Sequence, residues 1–248
     1  QELIDKGLSV IESNLKRGIK KGKITESQVS EVLARIKGFT SLEEASQGVD
    51  FVVEAVFENI EVKFNLYQEL DKLLEDDVVI ASNTSTLSIS LLAGGSNRED
   101  RFIGMHFFNP VPMMKLCEII NGIGTSAETL ELTKSVGIKL GKELVIAKDS
   151  PGFIVNRILI PMMNEAVFAL DEGVGTVEDI DKAIKLGLGH PMGPLTLLDL
   201  IGLDTALHVH EAFYSELKDS KYRVPPLLRR MVSSGRLGRK NGKGFYNY

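Results

Sequence analysis

Asp50-Phe-Val-Val-Glu-Ala-Val56, Val78-Val-Ile-Ala-Ser82 and Phe102-Ile-Gly-Met-His-Phe-Phe108 decide the fold. Each is a short, nearly continuous apolar run, the pattern of a strand buried on both faces. Between the first two lies Ile60–Leu74, with Leu66, Leu70 and Leu73 on one side at helical spacing. Strand, helix, strand, helix, strand is the rhythm of a parallel α/β sheet. The next run, Lys115-Leu-Cys-Glu-Ile-Ile120, follows after a short link that holds Pro110 and Pro112. A parallel crossover needs about a dozen residues or more, so this pair is predicted to be antiparallel. Leu144-Val-Ile-Ala147 is a further strand.

Upstream of these runs the chain is helical. Leu3, Ile4, Leu8, Ile11 and Leu15 mark an amphipathic helix over Gln1 to about Lys21, which starts partway through a fold. A second helix over Thr25–Ile36 has Thr25 as N-cap and Gln28 at capping-box spacing. Downstream, the texture changes at Asp149-Ser-Pro-Gly, where Asp149 or Ser150 can cap a helix that begins near Pro151. Helices are predicted over Phe153–Glu172 (kinked at Pro161), Val177–Leu186, Pro194–Lys218 and Pro226–Ser234, with no convincing strand. The expected division is an α/β domain over 1–149 and an all-α domain over 150–248.

Composition sets limits. The 248 residues are 43% hydrophobic and 25% charged, normal for a globular protein, so disorder throughout is excluded. No apolar run approaches the ~20 residues of a membrane-spanning helix. The net charge of −5 argues against a general nucleic-acid binder, while leaving room for a local basic patch. A single cysteine, Cys117, cannot form an internal disulfide, so a reducing, cytoplasmic setting is expected.

Several residues could carry chemistry. His106 lies near the end of a predicted central strand, where open α/β sheets place ligands. Glu118 lies in the strand expected to return beside it, and cross-strand Cβ atoms are ~4.5–5.5 Å apart. A carboxylate there can hold one ring nitrogen and leave the other as a general base. A purely structural His–Glu pair fits the same spacing, which alone favours it. Ser82-Asn-Thr-Ser-Thr86 follows a strand directly and suits a ligand or, more simply, a helix N-cap. Glu54 and Glu58 end another strand, with Lys63 five residues past Glu58; that offset is not a standard helical ion pair, so these residues face a ligand or form a solvated loop. Lys16, Arg17, Lys20, Lys21 and Lys23 form a basic stripe that could meet phosphates but is more simply a solvated face. Asn156 and Asn164 in an apolar helix need partners, either a substrate carbonyl or a neighbouring backbone. His208 and His210, two apart on a helix, cannot share an ion, and with His190 in a turn no metal site is expected.

Taken together, His106-Phe-Phe-Asn-Pro-Val-Pro-Met-Met-Lys-Leu-Cys-Glu118, Ser82-Asn-Thr-Ser85, Pro151-Gly-Phe-Ile-Val-Asn-Arg157, His190-Pro-Met-Gly-Pro194 and Lys243-Gly-Phe-Tyr246 are far more specific than any one of them. In this order, across the whole chain, they resemble the 3-hydroxyacyl-CoA dehydrogenase family, and most closely its short bacterial form. The resemblance implies a Rossmann-type doubly wound sheet followed by an all-α domain, and reversible oxidation of an (S)-3-hydroxyacyl-CoA with NAD (or NADP) as hydride acceptor. The short-chain substrate 3-hydroxybutyryl-CoA is implied by the same likeness. His106 would be the base, Glu118 its orienting carboxylate, Ser85 a donor to the reacting oxygen and Asn156 a substrate contact. Cofactor contacts would fall on Ala55, Glu58, Lys63, Asn83, Ser85, Asn109 and Lys240. CoA contacts would fall on Ser13, Lys20, Lys21, Ser85 and Asn156.

The resemblance also implies a homodimer through the helical domain, with Met162, Met163, Leu195, Leu197, Leu198, Leu200 and Ile201 as candidates. Thr196 stands where relatives often carry Glu, with little effect expected. The family's first two strands and its G-x-G-x-x-G turn have no counterpart in these residues. In the strand order 3-2-1-4-5-6 that absence is expected to split the sheet, so a further N-terminal segment of roughly 30 residues is expected. The alternative is a non-catalytic CoA-binding or structural relative.

Overall fold

The computed structural model describes residues 1–248. Its centre is a five-stranded sheet in sequential order: β1 (Phe51–Glu54), β2 (Val79–Ser82), β3 (Phe102–Phe107), β4 (Leu116–Asn121) and β5 (Glu143–Lys148). The first three strands are parallel, β4 runs antiparallel to β3, and β5 runs parallel to β4. Rossmann-type winding thus holds for the strands present, as the apolar runs predict. The sheet is not split: β1 to β5 pair without a break and β1 forms one edge. The expectation of a divided sheet fails because no strand precedes β1: residues 1–50 form helices and irregular chain, so no second half exists to be parted from the first.

Eleven α-helices surround or follow the sheet. α1 (Glu2–Lys20) and α2 (Glu26–Ala34) form a hairpin, with the Thr25–Gln28 capping box in place. α3 (Leu42–Ala45) leads to the sheet, and α4 (Ile60–Leu73) and α5 (Ile89–Ala93) make the crossovers between the parallel strands. α6 (Ala127–Lys139), which the sequence reading leaves blank, joins β4 to β5. Tyr67, Leu70, Ile89, Leu92 and Phe102 pack one face of the sheet; Val79, Ala81, Ile103, Met105 and Ile119 form the other.

The helical half comprises α7 (Val155–Asp171), α8 (Val177–Leu188), α9 (Pro194–Ile201), α10 (Leu203–Leu217) and α11 (Pro226–Ser233) around their own core. α7 continues through Pro161. The single helix expected over Pro194–Lys218 is two helices, broken at Gly202 with φ +96°, a conformation that L side chains rarely adopt. The buried acids Asp181 and Asp199 hold this half together. Asp181 accepts the N–H groups of Leu195 and Thr196, the Thr196 hydroxyl and the Tyr246 hydroxyl. Asp199 accepts the N–H groups of Phe245 and Tyr246 and so ties the C-terminal segment onto α9. Gly244 leaves the space this needs, since a Cβ there would sit 1.9 Å from Asp199 Oδ1. Met163, Leu195 and Leu198 are buried in this core, which corrects their reading as interface residues; Leu200 and Ile201 remain exposed.

Candidate active site

His106 and Glu118 are register partners across the β3–β4 pair. His106 Nδ1 lies 2.8 Å from Glu118 Oε2, and both side chains are buried. On the opposite edge of the ring, Nε2 lies 3.1 Å from Ser85 Oγ. A carboxylate can only accept, so Nδ1 carries the proton shared with Glu118 and Nε2 presents a lone pair toward Ser85. The ring is flanked by Phe108 and Phe153, with centroids at 4.6 and 5.5 Å.

Glu118 has a second task. Its Oε1 accepts the N–H groups of Ile154 and Val155 at 3.0 Å each, at the start of α7. These are two of the donors a helix N-terminus leaves unpaired. Neither Asp149 nor Ser150 caps that helix, contrary to the sequence reading: Ile154 is the N-cap residue and makes no side-chain bond. Asp149 instead accepts from Ser88 Oγ and from the N–H groups of Ile89 and Ser90, at the start of α5. The turn into α7 holds Phe153 at φ +51°, a strained value for a non-glycine residue, and that turn places its ring against His106. Burial pushes the Glu118 carboxyl up, but His106 and the two backbone donors outweigh it and hold it below its ordinary value. Glu118 is therefore ionised at neutral pH.

The loop bearing Ser85 is held from below by two carboxylates. Glu54 accepts from Lys63, Tyr67 and Ser82, each at 2.7 Å, and from the Val56 N–H at 2.8 Å. Glu58 accepts from the Thr84 and Thr86 hydroxyls and from the N–H groups of Ser85 and Thr86. Lys63 lies between them, 2.7 Å from Glu54 and 3.3 Å from Glu58, with its side chain 1% exposed. Burial raises both acids, but these hydrogen bonds and the Lys63 charge prevail and lower them. The pairing of Lys63 with Glu58 corrects the expectation drawn from their offset: Glu58 precedes α4, so helical spacing does not govern the pair. Ser82–Thr86 is likewise not a helix cap, since Ser88 caps α5.

A cleft of about 370 Å³ lies between the two halves of the chain. Ser85, Thr86, His106, Phe108 and Asn109 line one side. Asn156, Leu159, Ile160, Met163, Ile201, Thr205, Val209 and His210 line the other. The structure thus brings together His106, Glu118, Ser85, Asn109 and Asn156. Asn83 is next to them but its Oδ1 is bonded to the Phe107 N–H, and Ala55 lies exposed past the end of β1. Lys240 pairs with Asp204 on α10. Asn164 does not reach the cleft; it bonds Arg223 O and His210. Ser13 and Lys20 line a shallow polar groove on α1 with Ser9, Glu12, Lys16 and Arg17, while Lys21 is exposed at the helix end. The sequence reading missed Thr205 and His210 as cleft residues, and Phe153 as the ring that packs against His106. It also missed Asp181 and Asp199, although an acid inside Leu197-Leu-Asp-Leu-Ile201 was a visible signal of a buried cap.

Comparison with known proteins agrees with this geometry. Residues 1–150 match the family model for the NAD-binding domain of 3-hydroxyacyl-CoA dehydrogenase, and residues 152–248 match its C-terminal domain. The chain is 48% identical over 247 residues to a probable 3-hydroxybutyryl-CoA dehydrogenase of Bacillus subtilis, covering 100% of this chain and 86% of that protein. A crystal structure of (S)-3-hydroxybutyryl-CoA dehydrogenase from Ralstonia eutropha superimposes with a TM-score of 0.95 at 49% identity, covering 99% of this chain and 86% of that one. FadB2 of Mycobacterium tuberculosis superimposes with a TM-score of 0.95 at 40% identity, covering 100% and 87%. The chain belongs to the 3-hydroxyacyl-CoA dehydrogenase family.

Proposed function

We propose that this protein interconverts (S)-3-hydroxyacyl-CoA and 3-oxoacyl-CoA, with 3-hydroxybutyryl-CoA as its substrate, and that His106, Glu118, Ser85 and Asn156 do the work. The observation that carries this reading is the Glu118–His106–Ser85 relay, which faces a cleft at the ends of parallel strands. A binding module has no need of an imidazole whose free lone pair faces the cleft and whose other nitrogen is held by an ionised acid.

The steps follow from the geometry. The 3-hydroxyl of the substrate sits near His106 Nε2 and Ser85 Oγ. As the C3–H bond breaks, Nε2 takes the hydroxyl proton and the C3–O bond becomes a carbonyl. NAD, when bound, supplies the acceptor for the departing hydride. The ring then carries a positive charge, which Glu118 stabilises across 2.8 Å. Ser85 donates to the reacting oxygen, and Asn156 orients the acyl group from α7. In the reverse direction the imidazolium returns its proton.

The residues present fit the nicotinamide end of NAD. The exposed Ala55–Glu58 turn and the Asn83–Ser85 loop border the crevice outside the carboxyl ends of β1 and β2, where open α/β sheets bind cofactors. Asn109 lines the cleft beside them. Glu58 and Lys63 serve this surface by fixing the loop. Residues 1–149 act as the cofactor half and 150–248 as the acyl-binding and dimerisation half, the exposed Leu200 and Ile201 offering apolar surface for a second copy. The CoA phosphates rest on the α1 stripe through Lys20 or Lys21.

The test is NADH formation by the purified enzyme from (S)-3-hydroxybutyryl-CoA and its (R) enantiomer. Turnover of the (S) form is expected. Absence of turnover with tight acyl-CoA binding would leave the binding-module reading instead.

A further inference from the structure

Asp149 directly follows β5 and opens the link to the helical half, yet its carboxylate is bonded to the start of α5. Three donors converge on it there. Its Oδ1 accepts the Ile89 N–H at 2.9 Å, and its Oδ2 accepts the Ser88 hydroxyl at 2.7 Å and the Ser90 N–H at 2.8 Å. The Ser88 oxygen in turn accepts the Leu91 N–H at 3.2 Å, so both roles of that hydroxyl are filled. The backbone that bears Asp149 is itself fixed, because the preceding Lys148 pairs with Asn121 in the β4–β5 register. A second tie runs the same way: Ser90 Oγ accepts the Ile123 N–H, just past β4, at 2.9 Å.

Ser85 stands three residues before Ser88, in a stretch from Asn83 to Ser88 that is neither strand nor helix. No ladder or helical turn sets the place of such backbone; the acceptors that its polar groups meet do so instead. Glu58 grips one side of the stretch, through Thr84, Ser85 and Thr86. Asp149 grips the other. α5 has only five residues, far short of the ~12–15 at which an isolated helix begins to hold itself, so its first turn depends on that carboxylate. Ser85 Oγ, 3.1 Å from His106 Nε2, hangs between the two anchors.

Resting on the reading of Ser85 as a donor to the reacting oxygen, we propose that Asp149 is a positioning residue for the reaction: by holding the first turn of α5 against the end of β5, it fixes the Ser85 hydroxyl on His106 and on the 3-oxygen of the substrate. Asp149 acts through Ser85 and needs no contact with the substrate. A carboxylate is required because all three partners donate. Asparagine keeps the shape but has one accepting oxygen, so its amide N–H groups must face either the Ile89 N–H or the Ser88 and Ser90 donors.

The experiment is a double-mutant cycle on kcat for (S)-3-hydroxybutyryl-CoA in the wild type, Asp149→Asn, Ser85→Ala and the double variant, with acyl-CoA affinity read by calorimetric titration. A misplacement of about 1 Å can cost up to ~10²-fold in rate, so Asp149→Asn should lower kcat by roughly 10- to 100-fold while acyl-CoA affinity changes little. With Ser85 already replaced, the same substitution should cost no more than about twofold, because there is no hydroxyl left to misplace. A merely structural role lowers the rate by one factor in both backgrounds, so loss of folded enzyme cannot imitate the coupling. Ser88→Ala removes one of the three bonds and leaves the acid in place; it should give a smaller loss, again only when Ser85 is present. Equal losses with and without Ser85, or a wild-type kcat in Asp149→Asn, would overturn the proposal. A Ser85→Ala variant as fast as the wild type would overturn the role given to Ser85 and the proposal with it, and a wild type without turnover would overturn the functional reading beneath both.

Discussion

The ends of β1–β4 and the α1–α2 hairpin are both charged, and they are built in opposite ways. At the strand ends Glu54, Lys63, His106 and Glu118 are each at most 4% exposed, and every carboxylate oxygen there has a partner. On α1 nothing is buried, and Lys16, Arg17, Lys20 and Lys21 stand in solvent, with a single i,i+4 pair between Lys16 and Glu12. Buried polar groups must be satisfied, so each one constrains its neighbours. Exposed lysines are satisfied by water and constrain nothing. The first region can therefore hold a fixed proton-transfer geometry, while the second can only offer charge to a ligand that brings its own order.

That contrast can be broken or sharpened by substitution. The largest effect is expected from His106→Gln, which removes the base: kcat should fall by ~10²–10⁴-fold with acyl-CoA binding largely retained, as read by NADH formation and by calorimetric titration of the substrate. Turnover near the wild-type rate would mean the relay is structural. Glu118→Ala should lower kcat over a similar range and should destabilise the fold more than His106→Gln, because it also removes the acceptor for the Ile154 and Val155 N–H groups. Breaking one side of a buried, bonded pair costs about 3–5 kcal/mol, and here the α7 cap is lost with it. A melting temperature equal to that of His106→Gln would contradict the capping role.

Acid should separate the two regions next. Glu54, Glu58 and Glu118 all have lowered carboxyl pKa values. A carboxylate whose folded pKa lies below its unfolded value stabilises the fold above the unfolded value, and that contribution is lost as pH falls through the folded one. Stability of the sheet region should therefore hold through neutral pH and drop below about pH 4.5, the ordinary carboxylate value. Hydrogen exchange against pH would show it, and Glu118→Gln should flatten the dependence. Protection of α1–α2 amides that falls in the same window and to the same extent would remove the distinction. The smallest effect is expected on the stripe: Lys20→Ala should raise KM for the CoA substrate a few-fold, in line with about 1 kcal/mol or less for an exposed ion pair, and the difference should fade as salt is added. A change in kcat of the size seen for His106→Gln would place Lys20 in the chemistry instead.

Much of the site was legible in the chain. The apolar runs located all five strands to within two residues, and a link too short for a crossover implied the antiparallel return that sets His106 opposite Glu118. Thr25 and Gln28 announced their capping box because both partners lie within one turn. Local pattern settles what local contacts decide: strand period, helix starts and the pairing of adjacent strands.

Only the tertiary structure settled which groups a carboxylate meets. Glu118 caps a helix whose donors lie 36 and 37 residues away, and Asp149 caps a helix about 60 residues back in the chain instead of the one beside it. Asn164 bonds His210 from 46 residues away. Nothing in the spacing of these residues encodes such partners. They are chosen by which unpaired backbone and side-chain groups the packed sheet and helices bring within hydrogen-bonding reach, and by the cost of leaving any of them buried without one.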